Sequence, residues 1–150
     1  MVHVEIDIDA SPEQVRAVVL DFAQYSSWHT GFMTNFRILP TTKPGLSLVA
    51  GDGMVVDFPG MKDFPVTVTR NDAEEFSWYG SRFLGIFQGN HYFKFESVGG
   101  EGKKTRFVHA EEHLGPVKVM FKEGWPLNKG TTELFDKYAK DLKKRVEGVK

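Results

Sequence analysis

The 150-residue chain contains no cysteine. Without cysteine there is no disulfide framework to staple a small fold and no thiolate to act as a nucleophile. The fold must therefore be held together by packing and hydrogen bonds, and any chemistry must come from other side chains.

An excess of charge of either sign is also missing, because 19 basic and 20 acidic residues give a formal net charge of −1. Nucleic acid is therefore not an expected partner, since phosphate backbones are bound by clustered positive charge. No apolar run approaches the roughly 20 residues that cross a bilayer, so stable membrane insertion is not expected. The first ten residues, MVHVEIDIDA, lack the basic and apolar pattern of a signal peptide, and we expect a cytoplasmic protein.

Aromatic residues are abundant, with 13 Phe, 4 Tyr and 3 Trp. Many of them alternate with polar residues in the second half of the chain, as in half-buried strands. The length suits a single domain, which we predict over residues 1–150.

The beginning of the chain predicts a strand followed by a helix. Residues 2–8, VHVEIDI, alternate apolar and polar side chains. Ser11 then provides an N-cap, Pro12 suits the first helical position, and Gln14 completes a capping box. A second short helical segment is expected over residues 23–31, AQYSSWHTG.

The middle of the chain, from Phe32 to Leu114, predicts about six strands joined by turns and no helix, which indicates one antiparallel sheet. The predicted strands include LSLVAG at 46–51 and TRFVHAEEHL at 105–114, and the predicted turns include 40–45 and 97–104. Two Met- and Phe-bearing loops with glycines, 51–66 and 80–85, are interpreted as an adjustable pocket lip.

The end of the chain predicts a long amphipathic helix after a break at Pro126 and Gly130. An apolar stripe at helical spacing marks its buried face: Leu134, Phe135, Tyr138, Leu142 and Val146. The segment before it, within residues 115–130, has no clear secondary structure.

Several of these motifs resemble the START-like, or helix-grip, proteins of the SRPBCC (Bet v 1-like) superfamily, and the later strands resemble its polyketide cyclase/dehydrase branch. The resemblance rests on the opening SPEQVRAVVLDFAQYSSWH and on a series in the later strands: Trp78, Gly80, Gly89, His91, His109, Glu111 and Gly115. It implies an α+β helix-grip fold, in which a curved seven-stranded antiparallel sheet surrounds a long C-terminal helix and two short helices follow the first strand. It also implies a START/Bet v 1-like ligand-binding domain with an internal pocket for an apolar ligand. No cofactor is predicted.

The stretch 105–113, TRFVHAEEH, places three ionisable groups, His109, Glu111 and His113, on one face of a strand. The turn at 97–104 sets the preceding strand beside it, with His91 opposite either His109 or Glu111. The shared odd-numbered face is predicted to be the concave one: Gly89, His91, Phe93, Phe95, Phe107, His109 and Glu111.

This face predicts a small-molecule site, because an aromatic wall with a few polar groups is typical of such sites. The predicted ligand-binding residues are Trp28, Phe76, Trp78, His91, Phe93, Phe95, Phe107, His109, Glu111 and Tyr138. The predicted function is a carrier or sensor for a lipid, polyketide or aromatic metabolite.

Other interpretations of the same residues remain open. His109, Glu111 and His91 could act as an acid–base group in a cyclase or dehydratase. His109 and Glu111 could instead lie half-wet at a strand end and hold the last helix by hydrogen bonds. Two histidines and one glutamate could also bind zinc, but no metal-ligand spacing supports this, so no metal is predicted. His113 is expected at the rim, and His29 is expected to be exposed or to cap a turn.

Overall fold

The computed structural model describes residues 1–39 and 43–148. A seven-stranded antiparallel sheet has the order β1-β7-β6-β5-β4-β3-β2. The strands are β1 (Val2–Ile8), β2 (Phe36–Leu39), β3 (Gly53–Phe58), β4 (Met61–Asn71), β5 (Glu75–Arg82), β6 (Phe87–Ser97) and β7 (Thr105–Leu114). The predicted α+β helix-grip architecture is confirmed.

Two short helical elements follow β1, as predicted. Helix α1 (Pro12–Leu20) begins with the capping box, in which the Ser11 hydroxyl accepts from the Gln14 amide and the Gln14 side chain accepts from the Ser11 amide. A 3-10 helix, Phe22–Ser27, continues the chain. These local hydrogen bonds satisfy amides that a helix start leaves free, which explains why this boundary is visible in the sequence.

Helix α2 (Pro126–Gly148) begins four residues before Gly130, so the predicted break at Gly130 was wrong. Proline is tolerated in the first turn of a helix because its missing amide would have no partner there. The predicted stripe faces the sheet: Phe135, Tyr138 and Leu142 are fully buried, and Val146 is nearly so. Burial of each large side chain contributes about 1.5–3 kcal/mol to holding the helix in the curved sheet.

Two predictions for the middle of the chain require correction. The predicted strand at 46–51 is absent, and a 3-10 helix, Gly45–Ser47, lies there instead. Gly45 packs so closely on the Leu20 carbonyl at the end of α1 that a Cβ would overlap it. The Asn71 side chain of β4 donates to the Gly45 and Leu48 carbonyls, so the segment is held by side-chain hydrogen bonds instead of strand pairing. Strand β4 is also longer than expected, because a tight turn at Pro59 and Gly60 lets Met61 pair with Phe58. The turn predicted at 40–45 begins outside the described residues.

The pairing of β6 with β7 positions the candidate site. His91 lies opposite Glu111 and Phe93 opposite His109, which is one of the two predicted registers. The odd-numbered residues face the interior as predicted, and Trp78 extends the same face as the partner of His91 on β5. None of the helices within the described ranges is long and apolar enough to span a bilayer.

Candidate functional site: a cavity between the sheet and helix α2

A cavity of about 260 Å³ lies between the concave face of the sheet and the first turns of α2. Its walls are mainly aromatic and aliphatic, with two ionisable side chains among them. The lining residues are Phe32, Phe58, Pro59, Met61, Phe64, Trp78, Gly80, Phe87, Gly89, Glu111, His113, Phe121, Leu127, Thr131 and Leu134. Apolar walls with few polar groups are typical of small-molecule sites.

Two glycines on neighbouring strands line this space. Gly80 of β5 and Gly89 of β6 are directly paired. A Cβ at Gly80 would overlap the Phe64 ring, and a Cβ at Gly89 would lie 2.9 Å from Oε1 of Glu111. The missing side chains therefore leave room for an aromatic wall and for a carboxyl group.

Glu111 is the acidic residue of the cavity. Its side chain keeps 20% of its surface exposed and faces two histidines, with His113 Nε2 at 3.6 Å and His91 Nδ1 at 3.8 Å from Oε2. Both distances exceed an ordinary hydrogen bond. Burial raises the pKa of Glu111 to about 8, because little solvent is present to stabilise the carboxylate. At neutral pH the group is therefore mainly a neutral carboxylic acid.

His91 and His109 form a buried pair behind Glu111, joined by a 2.6 Å contact between their Nε2 atoms. Burial lowers the pKa of His91 to about 3 and that of His109 well below its ordinary value, so both rings are neutral. One ring must then donate and the other accept. The rings are fixed by stacking, His91 on Trp78 at 4.5 Å and His109 on Phe135 at 3.9 Å between centroids.

His109 is fully buried, so the alternative of a half-wet residue that holds the last helix by hydrogen bonds was wrong for it. Its ring contacts α2 by stacking on Phe135 and by packing against Tyr138, with ring centroids 4.9 Å apart. Its Nδ1 atom, like that of His91, has no hydrogen-bond partner among the residues described.

His113 lines the cavity and is 5% exposed, so its predicted position at the rim was wrong. Its ring stacks on Phe121 with centroids 3.5 Å apart, because the 3-10 helix Pro116–Phe121 folds back over the end of β7. Burial lowers the pKa of His113 to about 4. The neutral ring adds a second polar group to the wall that carries Glu111.

The predicted site residues on strands β5 to β7 differ in whether they line the cavity. Trp78 and Glu111 line the cavity, whereas His91 and His109 lie behind this wall. The aromatic residues predicted as ligand contacts are buried in the adjoining core and are not among the residues that line the cavity: Phe76, Phe93, Phe95 and Phe107. A role for them in direct ligand contact stays a prediction.

Tyr138 and Trp28 do not line the cavity and form an aromatic cluster with Tyr25, which adjoins the His109 ring through Tyr138. The hydroxyl groups of Tyr138 and Tyr25 lie 2.6 Å apart, and Tyr25 donates to the Val19 carbonyl. Tyr138 therefore donates to Tyr25 and is satisfied without a ligand. The Trp28 ring packs on both tyrosines, 4.8 Å from Tyr25 and 5.5 Å from Tyr138.

His29 was predicted to be exposed or capping, and this was wrong because it is 4% exposed. Its Nδ1 lies 2.9 Å from the Asp141 carboxylate on α2. Burial lowers the pKa of His29 despite this partner. The contact ties the segment after α1 to the final helix.

Among the described residues, no three His, Asp or Glu side chains converge in a way that could hold a metal ion. Sequence reasoning missed the part of the wall that Phe32, Phe121 and Leu127 supply, whereas Met61 lies within the segment 51–66 that was interpreted as a pocket lip. The paired glycines were the available signal, because a strand position without a side chain on the inner face leaves a gap.

Solved structures with the same fold support this description. A START superfamily protein from Mycobacterium smegmatis is 20% identical, with a TM-score of 0.66 over 99% of this chain and 98% of the other. The Zhui aromatase/cyclase from Streptomyces sp. R1128 is 13% identical, with a TM-score of 0.66 over 97% and 93%. Norcoclaurine synthase from Thalictrum flavum is 16% identical, with a TM-score of 0.63 over 96% and 84%. At these identities the likeness shows the fold alone.

No protein with a curated description matches the chain. The sequence profile of the family described as polyketide cyclase / dehydrase and lipid transport, in contrast, matches residues 1–147. The match covers nearly the whole chain and includes every residue of the cavity wall. Together with the helix-grip fold, it shows that the chain belongs to this polyketide cyclase/dehydrase and lipid transport family.

Proposed function

We propose that this protein binds a small hydrophobic molecule in the cavity between the sheet and α2, as a carrier or sensor. The observation that carries the proposal is the cavity itself, an apolar space of about 260 Å³ with polar side chains on one wall. The ligand classes that fit are a lipid segment, a polyketide or an aromatic metabolite.

The volume limits the size of the ligand. Drug-sized ligands occupy pockets of about 300–1,000 Å³. An apolar cavity of about 150 Å³ can hold one benzene ring. A space of about 260 Å³ therefore suits a molecule, or the part of a molecule, of one to two rings.

The polar wall limits the chemistry of the ligand. Glu111 is neutral at pH 7 because its pKa is about 8, so it can donate a hydrogen bond. The two facing histidine nitrogens, at 3.6 and 3.8 Å, leave this proton available. A ligand that places a carbonyl oxygen beside Glu111 would satisfy the acid.

The test compares 2-acetylnaphthalene, which has a carbonyl, with naphthalene, by quenching of tryptophan fluorescence. We expect both to bind, with the ketone about fivefold tighter because of one additional hydrogen bond. Glu111→Ala should remove this preference, and Thr131→Phe should abolish binding by filling the cavity. Glu133→Phe, on the exposed side of the same helix, is the matched control.

Native mass spectrometry of the protein purified from cells provides a second measurement, with co-purifying apolar mass as the expected result. Failure of both naphthalenes to bind, together with an empty protein in the mass spectrum, would overturn the proposal. Binding that persists in Thr131→Phe would place the ligand elsewhere.

A second function, cyclase or dehydratase activity, is favoured by the raised pKa of Glu111. An acid with a pKa of about 8 holds its proton at neutral pH and can give it to a departing hydroxyl group, while the neutral His113 ring on the same wall accepts the proton that the α-carbon loses. His91 lies behind it, and His109 fixes the His91 ring through the 2.6 Å contact. Glu111 would be the acid, and the two histidines would position it.

Dehydration of an aromatic β-hydroxy ketone tests this second function. Turnover should fall above pH 8, where Glu111 loses its proton, and should be lost in Glu111→Gln. His109→Ala should lower turnover with little change in affinity. Equal rates in wild type and Glu111→Gln would remove the catalytic role and leave ligand binding intact.

A further inference from the structure

The turn between β5 and β6 presents large apolar side chains to solvent. Phe83 and Ile86 are more than half exposed, and Leu84 is fully exposed. Most exposed turns carry small or polar residues, because an apolar side chain that stays in water contributes no free energy of burial. This turn therefore has a composition that folding alone does not explain.

The backbone conformation of the turn also indicates a role other than joining two strands. Phe83 and Leu84 have φ angles of 55° and 54°, in the left-handed region. Asn and Gly adopt this region readily, whereas bulky residues do so at a cost of about 1–2 kcal/mol each. A turn suited only to joining two strands would carry Asn or Gly at these positions.

Two further segments add exposed apolar side chains next to this turn. They are Val119 and Met120 on the 3-10 helix Pro116–Phe121 and Trp125 and Leu127 at the start of α2. Gly115 lies against the Gly85 carbonyl, and the Phe87 and Phe121 rings are 6.2 Å apart. We call the combined surface of segments 83–86, 116–121 and 125–127 the entrance surface.

The entrance surface borders an opening of the cavity, because two of its residues, Phe121 and Leu127, also line the cavity. Leu127 both lines the cavity and is 44% exposed, so the cavity meets solvent at the start of α2. Pro59, in the turn between β3 and β4, is likewise exposed and lines the cavity. Any molecule that enters here passes the exposed apolar side chains.

Positive charge accompanies these apolar residues. Residues 116–129 contain Lys118, Lys122 and Lys129 but one acidic residue, Glu123, and all four are exposed. The Arg82 guanidinium lies over the Phe83 ring, 5.3 Å from its centroid. The chain as a whole carries a net charge of −1, so residues 116–129 are more basic than the chain average.

We propose that the entrance surface docks on an anionic phospholipid bilayer, so that the cavity opens toward the membrane. Exposed aromatic and aliphatic side chains enter the headgroup region, and lysines close to them bind lipid phosphates. Trp125 lies at the level where tryptophan is favoured, between water and acyl chains. This inference goes beyond ligand binding and does not depend on what the cavity holds.

Vesicle sedimentation tests the proposal. The probes are vesicles of phosphatidylcholine alone and of phosphatidylcholine with an equal amount of phosphatidylglycerol. We expect the protein to sediment with the anionic vesicles, less at high salt, and to show a blue shift of Trp125 fluorescence that is absent in Trp125→Phe. Trp78 is 2% exposed and should not respond.

The variant F83N/L84N should weaken vesicle binding about tenfold, because two apolar side chains no longer enter the bilayer. Asn tolerates the left-handed region, so this variant is expected to fold, and an unchanged or higher Tm checks this. K118Q/K122Q should weaken binding about fivefold per charge removed. The matched controls L46N/V49N and K103Q/K104Q alter exposed residues away from the entrance surface and should bind as wild type does.

Several outcomes would overturn the proposal. They are failure to bind either vesicle, equal losses of vesicle binding in the control variants, and vesicle binding by F83N/L84N that equals that of the wild type. A self-associating protein that becomes monomeric in F83N/L84N, with no vesicle binding, would assign the surface to a second copy of the chain. Loss of vesicle binding with unchanged affinity for 2-acetylnaphthalene would separate this surface from the cavity.

Discussion

The two turns that flank strand β6 differ in composition although both join neighbouring strands of one sheet. The turn after β6, SVGGEGKK, is polar, and its left-handed positions are occupied by Gly99, Gly100 and Gly102. The turn before β6 places Phe83 and Leu84 at left-handed positions instead. The polar, glycine-rich turn after β6 is sufficient to reverse the chain, so the apolar composition of the turn before β6 indicates a role outside folding.

The interior shows a parallel contrast between the two ends of the sheet. Toward the SVGGEGKK turn, Phe93, Phe95 and Phe107 fill the space beneath the sheet and are almost fully buried. Toward the other turn, the paired Gly80 and Gly89 leave a cavity. One end of the sheet therefore covers a packed core, and the other end covers the cavity.

The largest expected effect concerns this interior contrast. Phe107→Ala should lower the free energy of unfolding by about 3–5 kcal/mol, because it opens a new void in packed core. Phe58→Ala should cost about half as much, since the Phe58 ring already borders the cavity and has fewer partners to lose. Urea denaturation measures both, and equal losses would contradict the contrast.

The paired glycines provide the next test. Gly80→Ala should cost about 1–3 kcal/mol, because the new Cβ forces the Phe64 ring toward the cavity. The affinity of this variant for 2-acetylnaphthalene should also fall, because the displaced Phe64 ring takes up part of the cavity. Gly53→Ala is the control, because a Cβ at this position on β3 meets nothing within 4 Å. A normal affinity in Gly80→Ala would show that the glycine does not keep the cavity open.

The pH dependence of stability tests the charge state of the cavity wall. Glu111 has a folded pKa of about 8, above its ordinary value of 4.5, so the folded chain keeps a proton that the unfolded chain releases. Stability contributed by this group therefore falls as the pH rises through this range. Between about pH 6.5 and pH 8 the loss should reach about 2 kcal/mol at most, and Glu111→Gln should abolish it.

The buried histidines act in the opposite direction. His91 and His113 have folded pKa values of about 3 and about 4, below the ordinary 6.5, so the unfolded chain binds protons that the folded chain excludes. Stability should therefore also fall as the pH drops below 6.5, which puts the maximum near neutral pH. A wild-type profile that is flat from pH 6.5 to 9 would contradict the assignment for Glu111.

The smallest expected effect concerns the exposed turn. Leu84→Asn should raise the free energy of unfolding by less than about 1 kcal/mol, because Asn fits the left-handed backbone better than Leu. Ile86→Asn, in the same turn but without a positive φ, should change it little. A clear loss of stability in Leu84→Asn would show that Leu84 supports the fold rather than a partner.

The features that could be predicted from the sequence are those that depend on near neighbours. The capping box of Ser11 and Gln14 involves residues three apart, and alternation along β6 and β7 identified the buried face. The pairing of His91 was limited to two registers because a shift by one residue would reverse the faces. Fold class then followed from the element order and the family resemblance.

The exact position of the cavity could not be predicted, because distant segments determine it. His113 is buried by Phe121, and His29 is buried where Asp141 of α2 meets it, 112 residues away in the chain. The aromatic wall was assigned to Phe93, Phe95 and Phe107, yet helices close over these rings. Alternation shows which side of a strand faces inward but not how far the neighbouring helix lies above it.

At the glycine pair, the size of the cavity and the architecture of the sheet do not depend on each other. The Phe64 ring and the Glu111 carboxyl group of the cavity wall occupy the space that side chains at Gly80 and Gly89 would need, whereas the hydrogen-bonded ladder runs through both glycines unchanged. A substitution at either position can therefore resize the cavity while the scaffold keeps its architecture. The volume of the cavity can therefore diverge, by natural drift or by engineering, without a new fold.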